Sequence, residues 1–314
     1  MNPALSVIFF TTLSGAGFGL WAWIGLRISL GTAPIGLQAL GWIVLLIVAG
    51  VLAAVGLLAS FWHLGKPMRA WRAFSQWRTS WLSREGVLAV VSFVPAFVLI
   101  LLLREGTDDR LAPFIRIVGG LLALLSLATV AATAMIYASL KPIPAWRHAL
   151  VLPGYLLFAL LTGGLLMLLS TVPDASGLDG ALPWLLILIA GALLVLKLAY
   201  WRSIDRTPLS QQRGDAIGLP QRTATVFERP HTEANYITRE MAFVVARKHA
   251  LTLRLLAVIL FAILPVILLL PLLLSADVGV AMASLLAAAS AITGAFVERW
   301  LFFAQAKHMV TLYY

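Results

Sequence analysis

The chain contains no cysteine. Disulfides, thiolate zinc sites and cysteine-ligated iron–sulfur clusters are therefore excluded from it, and any such cluster working with it sits in another chain. Charge is scarce too: 11% of residues are Asp, Glu, Lys or Arg, where a soluble domain carries roughly a quarter. Acidic residues are the rarer sign, 13 against 23 basic ones, and no Asp, Glu or His falls in the middle of an apolar run. That absence argues against a carboxylate or histidine relay at mid-membrane depth. The N-terminus lacks a basic n-region and an A-x-A cleavage site. Its first apolar run is too long for a signal peptide, so it reads as a retained helix.

What remains is apolar. The 314 residues are 61% hydrophobic, with a mean hydropathy of +0.96, and no soluble fold buries that much apolar surface. The expectation is a single all-α integral membrane domain over 1–314. Runs long enough to cross about 30 Å of hydrocarbon fall at 5–27, 38–61, 86–103, 112–139, 148–170, 183–201, 251–274 and 279–303. They predict eight transmembrane helices, arranged as two four-helix bundles. Most links are short, but 62–85 is longer and 202–250 forms one long loop.

Eight crossings put both termini on one face, with loops 62–85, 140–147 and 202–254. Of the 23 lysines and arginines, Arg27, Arg104, Arg110 and Arg116 fall on the opposite face, and Lys197 and Arg299 fall within spans. All the others share the face of the termini, which the positive-inside rule makes cytoplasmic. The net charge of +10 is thus largely topology. It suits anionic membrane lipids as partners and gives no support to a nucleic-acid partner, for which a soluble basic domain is needed.

Small residues mark close helix packing: Gly15 and Gly19 form a GxxxG step with Gly17 between them, and Gly119, Gly120, Gly163 and Gly164 are similar. Glu298 and Arg299 stand near one end of the last span. Adjacent on a helix, they point about 100° apart, so each is expected to bind a neighbouring helix and not the other, in a structural role. The histidines, His63, His148, His231, His249 and His308, all lie near the basic face. A transmembrane b-type haem needs two opposed axial histidines inside the bundle. No haem is expected, although a His63–His148 pair in a haem-b-containing anchor stays open.

The densest polar-aromatic segment is 60–86, with Trp62, His63, Lys66, Arg69, Trp71, Arg72, Trp77, Trp81, Ser83, Arg84 and Glu85. One reading is an amphipathic loop on the headgroups, with His63 merely interfacial. The other is a site for a quinone, whose carbonyl oxygens need hydrogen bonds and which exchanges two protons with two electrons. An interfacial His can donate or accept such a bond near neutral pH, and a carboxylate can pass the proton to water. His63 and Glu85 suit these two roles. Lys66 and Arg69 can polarise a quinone oxygen or pair with Glu85.

Phe10-Thr11-Thr12-Leu13 with Gly15-Ala16-Gly17, His63-Leu64-Gly65-Lys66-Pro67 with Arg69-Ala70, and Ser80-Trp81-Leu82-Ser83-Arg84-Glu85 resemble the anchor subunits of dimethyl sulfoxide reductase, the DmsC family, along essentially the whole chain. The resemblance implies a multi-pass anchor in the bacterial inner membrane with no haem or metal of its own. It implies a molybdopterin catalytic subunit and a four-cluster ferredoxin-like iron–sulfur subunit as partners. Electrons would pass between those clusters and menaquinone or ubiquinone, and the anchor would do no chemistry at molybdenum. The family's quinol-binding His and Glu carry over to His63 and Glu85, with Lys66, Arg69, Arg84 and Trp62 as further site members. The stretch Asn235-Tyr236-Ile237-Thr238-Arg239-Glu240-Met241 resembles the SoeC-type anchors of cytoplasm-facing sulfite-oxidising complexes. Residues 233–250 read as a polar amphipathic helix, either docking a partner or extending the seventh span. A secondary transporter is the rival class. Pro95, Pro265 and Pro271 interrupt spans as such proteins require, but no matching polar centre accompanies them.

Overall fold

The computed structural model describes residues 3–31, 37–63, 65–105, 109–170, 178–207, 209, 211–228, 249–274 and 279–312, and every element among them is helical. The helices are α1 Leu5–Ser29, α2 Leu37–Ala59, α3 Trp81–Glu105, α4 Ala112–Ala138, α5 Val151–Met167 and α6 Leu178–Arg206. Helix α7 runs from Ala250–Val258 through a π-turn, Ile259–Ile263, into Leu264–Leu274, and α8 is Val280–Ala304. All but α5 are long and apolar enough to cross a membrane. Helix α5 has 17 residues, and the 3-10 turn Leu168–Ser170 prolongs it to about 30 Å. The amphipathic helix expected over 233–250 lies, except for its last two residues, outside the described residues.

Helix α1 is the hub. It packs against α2, α4, α5 and α8, while α3 lies on α2 and α4, and α5 and α7 both pack on α8. Apolar attraction alone does not pull helices together in lipid, so backbone proximity and interhelical hydrogen bonds set this arrangement. A Cβ on Gly17 would run into the Ala49 carbonyl of α2, one on Gly19 into Ala159 of α5, and one on Gly25 into Gly119 of α4. Gly163 answers Gly19 from α5. The expected GxxxG step is corrected in part: Gly19 is a contact residue, but Gly15 has open space before it. The indoles of Trp21 and Trp23 donate to Leu46 O at 3.0 Å and Leu160 O at 2.8 Å, pinning α1 to α2 and α5.

The π-turn has a local cause. Pro265 has no N–H to offer the preceding turn, and the helix widens just ahead of it. Ser290 of α8 donates to Leu260 O at 2.7 Å, and Gly294 lets α8 approach the Leu260–Phe261 backbone. A carbonyl loosened from the helix ladder is thereby satisfied within the protein, as a lipid environment demands.

Glu298 and Arg299 depart from expectation. Arg299 Nη1 lies 3.1 Å from Glu298 Oε2, so the two do pair. The guanidinium curls back along its own helix because the faces of Tyr155 and Phe158, 3.5 Å and 5.0 Å from its centre, hold it there. The expected link to a neighbouring helix is also present, through an ion pair between Glu298 and Lys197 of α6.

Candidate functional site

Between α2 and α3 the chain does not form an ordinary loop. Ser60–His63 is a 3-10 turn, and Pro67–Gln76 is a ten-residue 3-10 helix. With three residues per turn, positions i and i+3 eclipse, and this stretch repeats every three residues. Met68, Trp71, Phe74 and Trp77 form an apolar stripe. Arg69, Arg72 and Arg78 form a cationic one, interrupted by Ser75, and Ala70 and Ala73 face the bundle. Met68 and Trp71 are strongly exposed, as aromatic and apolar residues at a membrane interface are. Phe74 rests against Gly86, where a Cβ would come within 3.2 Å of its ring.

The strap is tied to the start of α3. That helix begins at Trp81, five residues ahead of the apolar run at 86–103, and its Ser83 Oγ donates to Ala73 O. Arg84 Nε donates to Trp77 O at 3.0 Å and its Nη2 to Arg78 O at 2.6 Å, while its guanidinium lies over the Trp81 ring at 4.3 Å. Glu85, the fifth residue of the helix, lies in its second turn and is 4% exposed.

Beneath the strap lies a cavity of about 1070 Å³. Its polar groups are Ser60, Lys66, Arg69 and Glu85. Its aromatic walls come from Phe10, Phe61, Trp71, Phe74, Tyr137, Trp146 and Phe303. Tyr137 and Trp146 meet edge to face at 5.5 Å, and the Trp146 indole donates to Phe302 O at 3.0 Å, fixing that wall. Thr133 donates to Glu85 Oε1 at 2.5 Å and has the Thr129 carbonyl at 3.1 Å as a second acceptor. One hydroxyl has one proton. A protonated Glu85 can therefore donate to Thr133 while Thr133 turns to Thr129, so the pair accommodates both states of the carboxyl.

Of the residues singled out by sequence, Lys66, Arg69 and Glu85 share this cavity. Trp62, 84% exposed, and Arg84, engaged with two strap carbonyls, are not among its lining residues. The His63 side chain lies outside the described residues. Among the described residues Glu85 has no ion pair with Lys66 or Arg69; its polar partner is Thr133. Tyr137 and Phe303 as wall residues, and Thr133 as the partner of Glu85, were not singled out by the sequence. Trp146, a tryptophan in a short basic-face link, carried a visible signal. Replacing Arg84 by Ala is expected to free the Trp77 and Arg78 carbonyls and loosen the strap. Protease nicking near Trp77 should rise several-fold, and Lys in place of Arg84 should prevent it only in part because it has no fork.

A second recess of about 590 Å³ opens among Ala145, His148, Asp205, Arg206, Arg254 and Lys307. Arg254 holds Asp205 through two bonds of 2.6 and 2.9 Å. Burial, followed by the charge of Lys197, holds the His148 imidazole below its usual value. Its Nδ1 accepts the Leu150 N–H at 3.1 Å and its Nε2 lies 3.0 Å from Ser203 Oγ, so both nitrogens are engaged. No cluster of three or more His, Asp or Glu suited to a metal occurs among the described residues.

Its long apolar helices make the chain a multi-pass helical membrane protein, with a large aromatic-walled cavity under the strap. The family model of the DMSO reductase anchor subunit (DmsC) matches residues 1–305. The C subunit of the sulfite dehydrogenase of Allochromatium vinosum is 32% identical over 325 aligned residues, covering 100% of this chain and 99% of that protein. The chain belongs to the DmsC family of membrane anchors.

Proposed function

We propose that this anchor carries the quinone-reactive site of a heterotrimeric oxidoreductase in the bacterial inner membrane. Its partners are an iron–sulfur subunit of the four-cluster ferredoxin-like type and a molybdopterin catalytic subunit. The full-length similarity to a sulfite dehydrogenase component favours sulfite as the catalytic partner's substrate, with electrons flowing into menaquinone or ubiquinone. The chain crosses the membrane eight times as one domain, α5 with its 3-10 turn being the short crossing. The helices fall into two four-helix halves, α1–α4 and α5–α8, with termini and long loops in the cytoplasm.

The observation that carries this reading is the cavity. It combines one buried carboxyl, two cations and aromatic walls in a space large enough for a quinone ring and the start of its tail. Lys66 or Arg69 draws electron density toward a quinone oxygen, and Glu85 exchanges the proton. His63, at the end of the turn Ser60–His63, supplies the second hydrogen bond. The test is His63→Ala in the intact complex, assayed with quinone and with a soluble electron carrier. Selective loss of the quinone-coupled rate is expected, and equal rates in both assays would refute the assignment of His63.

A further inference from the structure

Glu85 lies almost wholly inside the protein, and a quinone seated in the cavity would cover what little of it reaches the surface. A proton leaving or reaching it therefore needs another way out. Behind Glu85 the helices enclose a second, much smaller cavity of about 20 Å³, enough for one water molecule. In this largely apolar bundle half of its lining residues are polar, among them Thr12, Thr133, Tyr155, Thr162 and Arg299. Thr12 and Tyr155 are 5% and 3% exposed, and neither hydroxyl has a hydrogen-bond partner among the described residues. Two orphaned hydroxyls beside a water-sized space are the signature of a bound water, since an unpaired buried hydroxyl is costly.

Both ends of this space touch ionisable groups. Thr133 joins it to Glu85 at 2.5 Å. Arg299, which lies 3.5 Å from the Tyr155 ring centre, joins it to Glu298, which pairs in turn with Lys197. Lys197, Tyr200, Tyr155 and Arg299 then surround a further small space of about 10 Å³. The Tyr200 hydroxyl donates to Ala145 O at 2.9 Å, and Ala145 borders the recess that holds His148.

We propose that Glu85 is one end of an internal, water-assisted proton route. The route runs through Thr133, the one-water cavity and the Tyr155 hydroxyl, across the small space beside Lys197, to the Glu298–Lys197 pair. It rests on the quinone-site reading. When the iron–sulfur partner delivers two electrons and quinone becomes quinol, two protons are taken up. One of them comes from Glu85, which is reprotonated along this chain from the Glu298–Lys197 pair, and the other comes from bulk water at the open mouth of the cavity. Arg299 holds Glu298 and Tyr155 in place and carries no proton itself.

The test uses Tyr155→Phe, which removes one oxygen, and Thr12→Val, which is isosteric, in the intact complex. Each is expected to lower quinone-coupled turnover about ten-fold with the quinone KM and the soluble-carrier rate unchanged. A small permeant weak acid should restore part of the lost rate, an effect that a merely structural defect would not give. Normal quinone-coupled turnover in both variants, with Glu85→Gln still impaired, would overturn the route and leave the quinone site standing. Normal turnover in Glu85→Gln would overturn both. If Tyr155→Phe lowers assembly, so that both rates fall together, Thr12→Val decides.

Discussion

Glu85→Gln is expected to lower quinone-coupled turnover about a hundred-fold, the usual size of a lost general acid or base, while leaving soluble-carrier turnover of the complex intact. Gln keeps the volume and can still accept from Thr133, so the strap, the cavity and the packing of α3 on α4 are preserved. What it loses is the capacity to hold and release a proton. The Thr133 pair, which accommodates both states of the carboxyl, becomes locked in one. Glu85→Asp makes a useful companion. It retains the acid but withdraws it by one methylene from Thr133, and an intermediate rate is expected. The comparison is made in membranes containing the assembled complex, with protein content normalised by the soluble-carrier assay.

The second large effect is on stability. Glu298 is fully buried and carries both Lys197 and Arg299 as partners. Replacing it by Leu strands two cations inside the bundle, at a cost of about 3–5 kcal/mol, as found when one partner of a buried pair is removed. The aromatic faces against Lys197 and Arg299 soften this only in part. The expected result is a large drop in the thermal midpoint of the detergent-solubilised complex and poor assembly. Adding Lys197→Met to Glu298→Leu should recover part of the loss, because it removes one of the two stranded cations and leaves Arg299 against the faces of Tyr155 and Phe158. If the single and double variants are equally unstable, the pair is not what holds α6 to α8.

The membrane class, the family and the approximate runs of the helices were legible in the sequence because hydropathy and charge asymmetry report directly on lipid and water. Glu85, Lys66 and Arg69 were legible for a related reason: ionisable residues beside an apolar run are costly and stand out. The helical strap was not anticipated. Its three-residue repeat from Met68 to Trp77 is written in the sequence, but 3-10 helices of ten residues are uncommon, and helix and strand periods hide it. An α3 that starts at the apolar run leaves Glu85 outside the helix, whereas the helix starts at Trp81 and takes Glu85 in. The Glu298–Arg299 pair was missed because helical geometry speaks for backbone directions and not for long arms bent back by aromatic faces. Thr133 and Tyr155 carry no sequence signal at all. A lone hydroxyl in a span becomes informative only once its neighbours are known.

The central claim is that the cavity beneath the strap is where quinone binds. A photoreactive azido-quinone, applied to membranes holding the intact complex and followed by peptide mapping, tests it most directly. Labelling is expected in the strap and the start of α3, between Phe61 and Val90, with a second site at Tyr137 to Trp146, and it should be displaced by excess unlabelled quinone. Displaceable labelling confined to other segments of the chain, or to the partner subunits, would contradict the account.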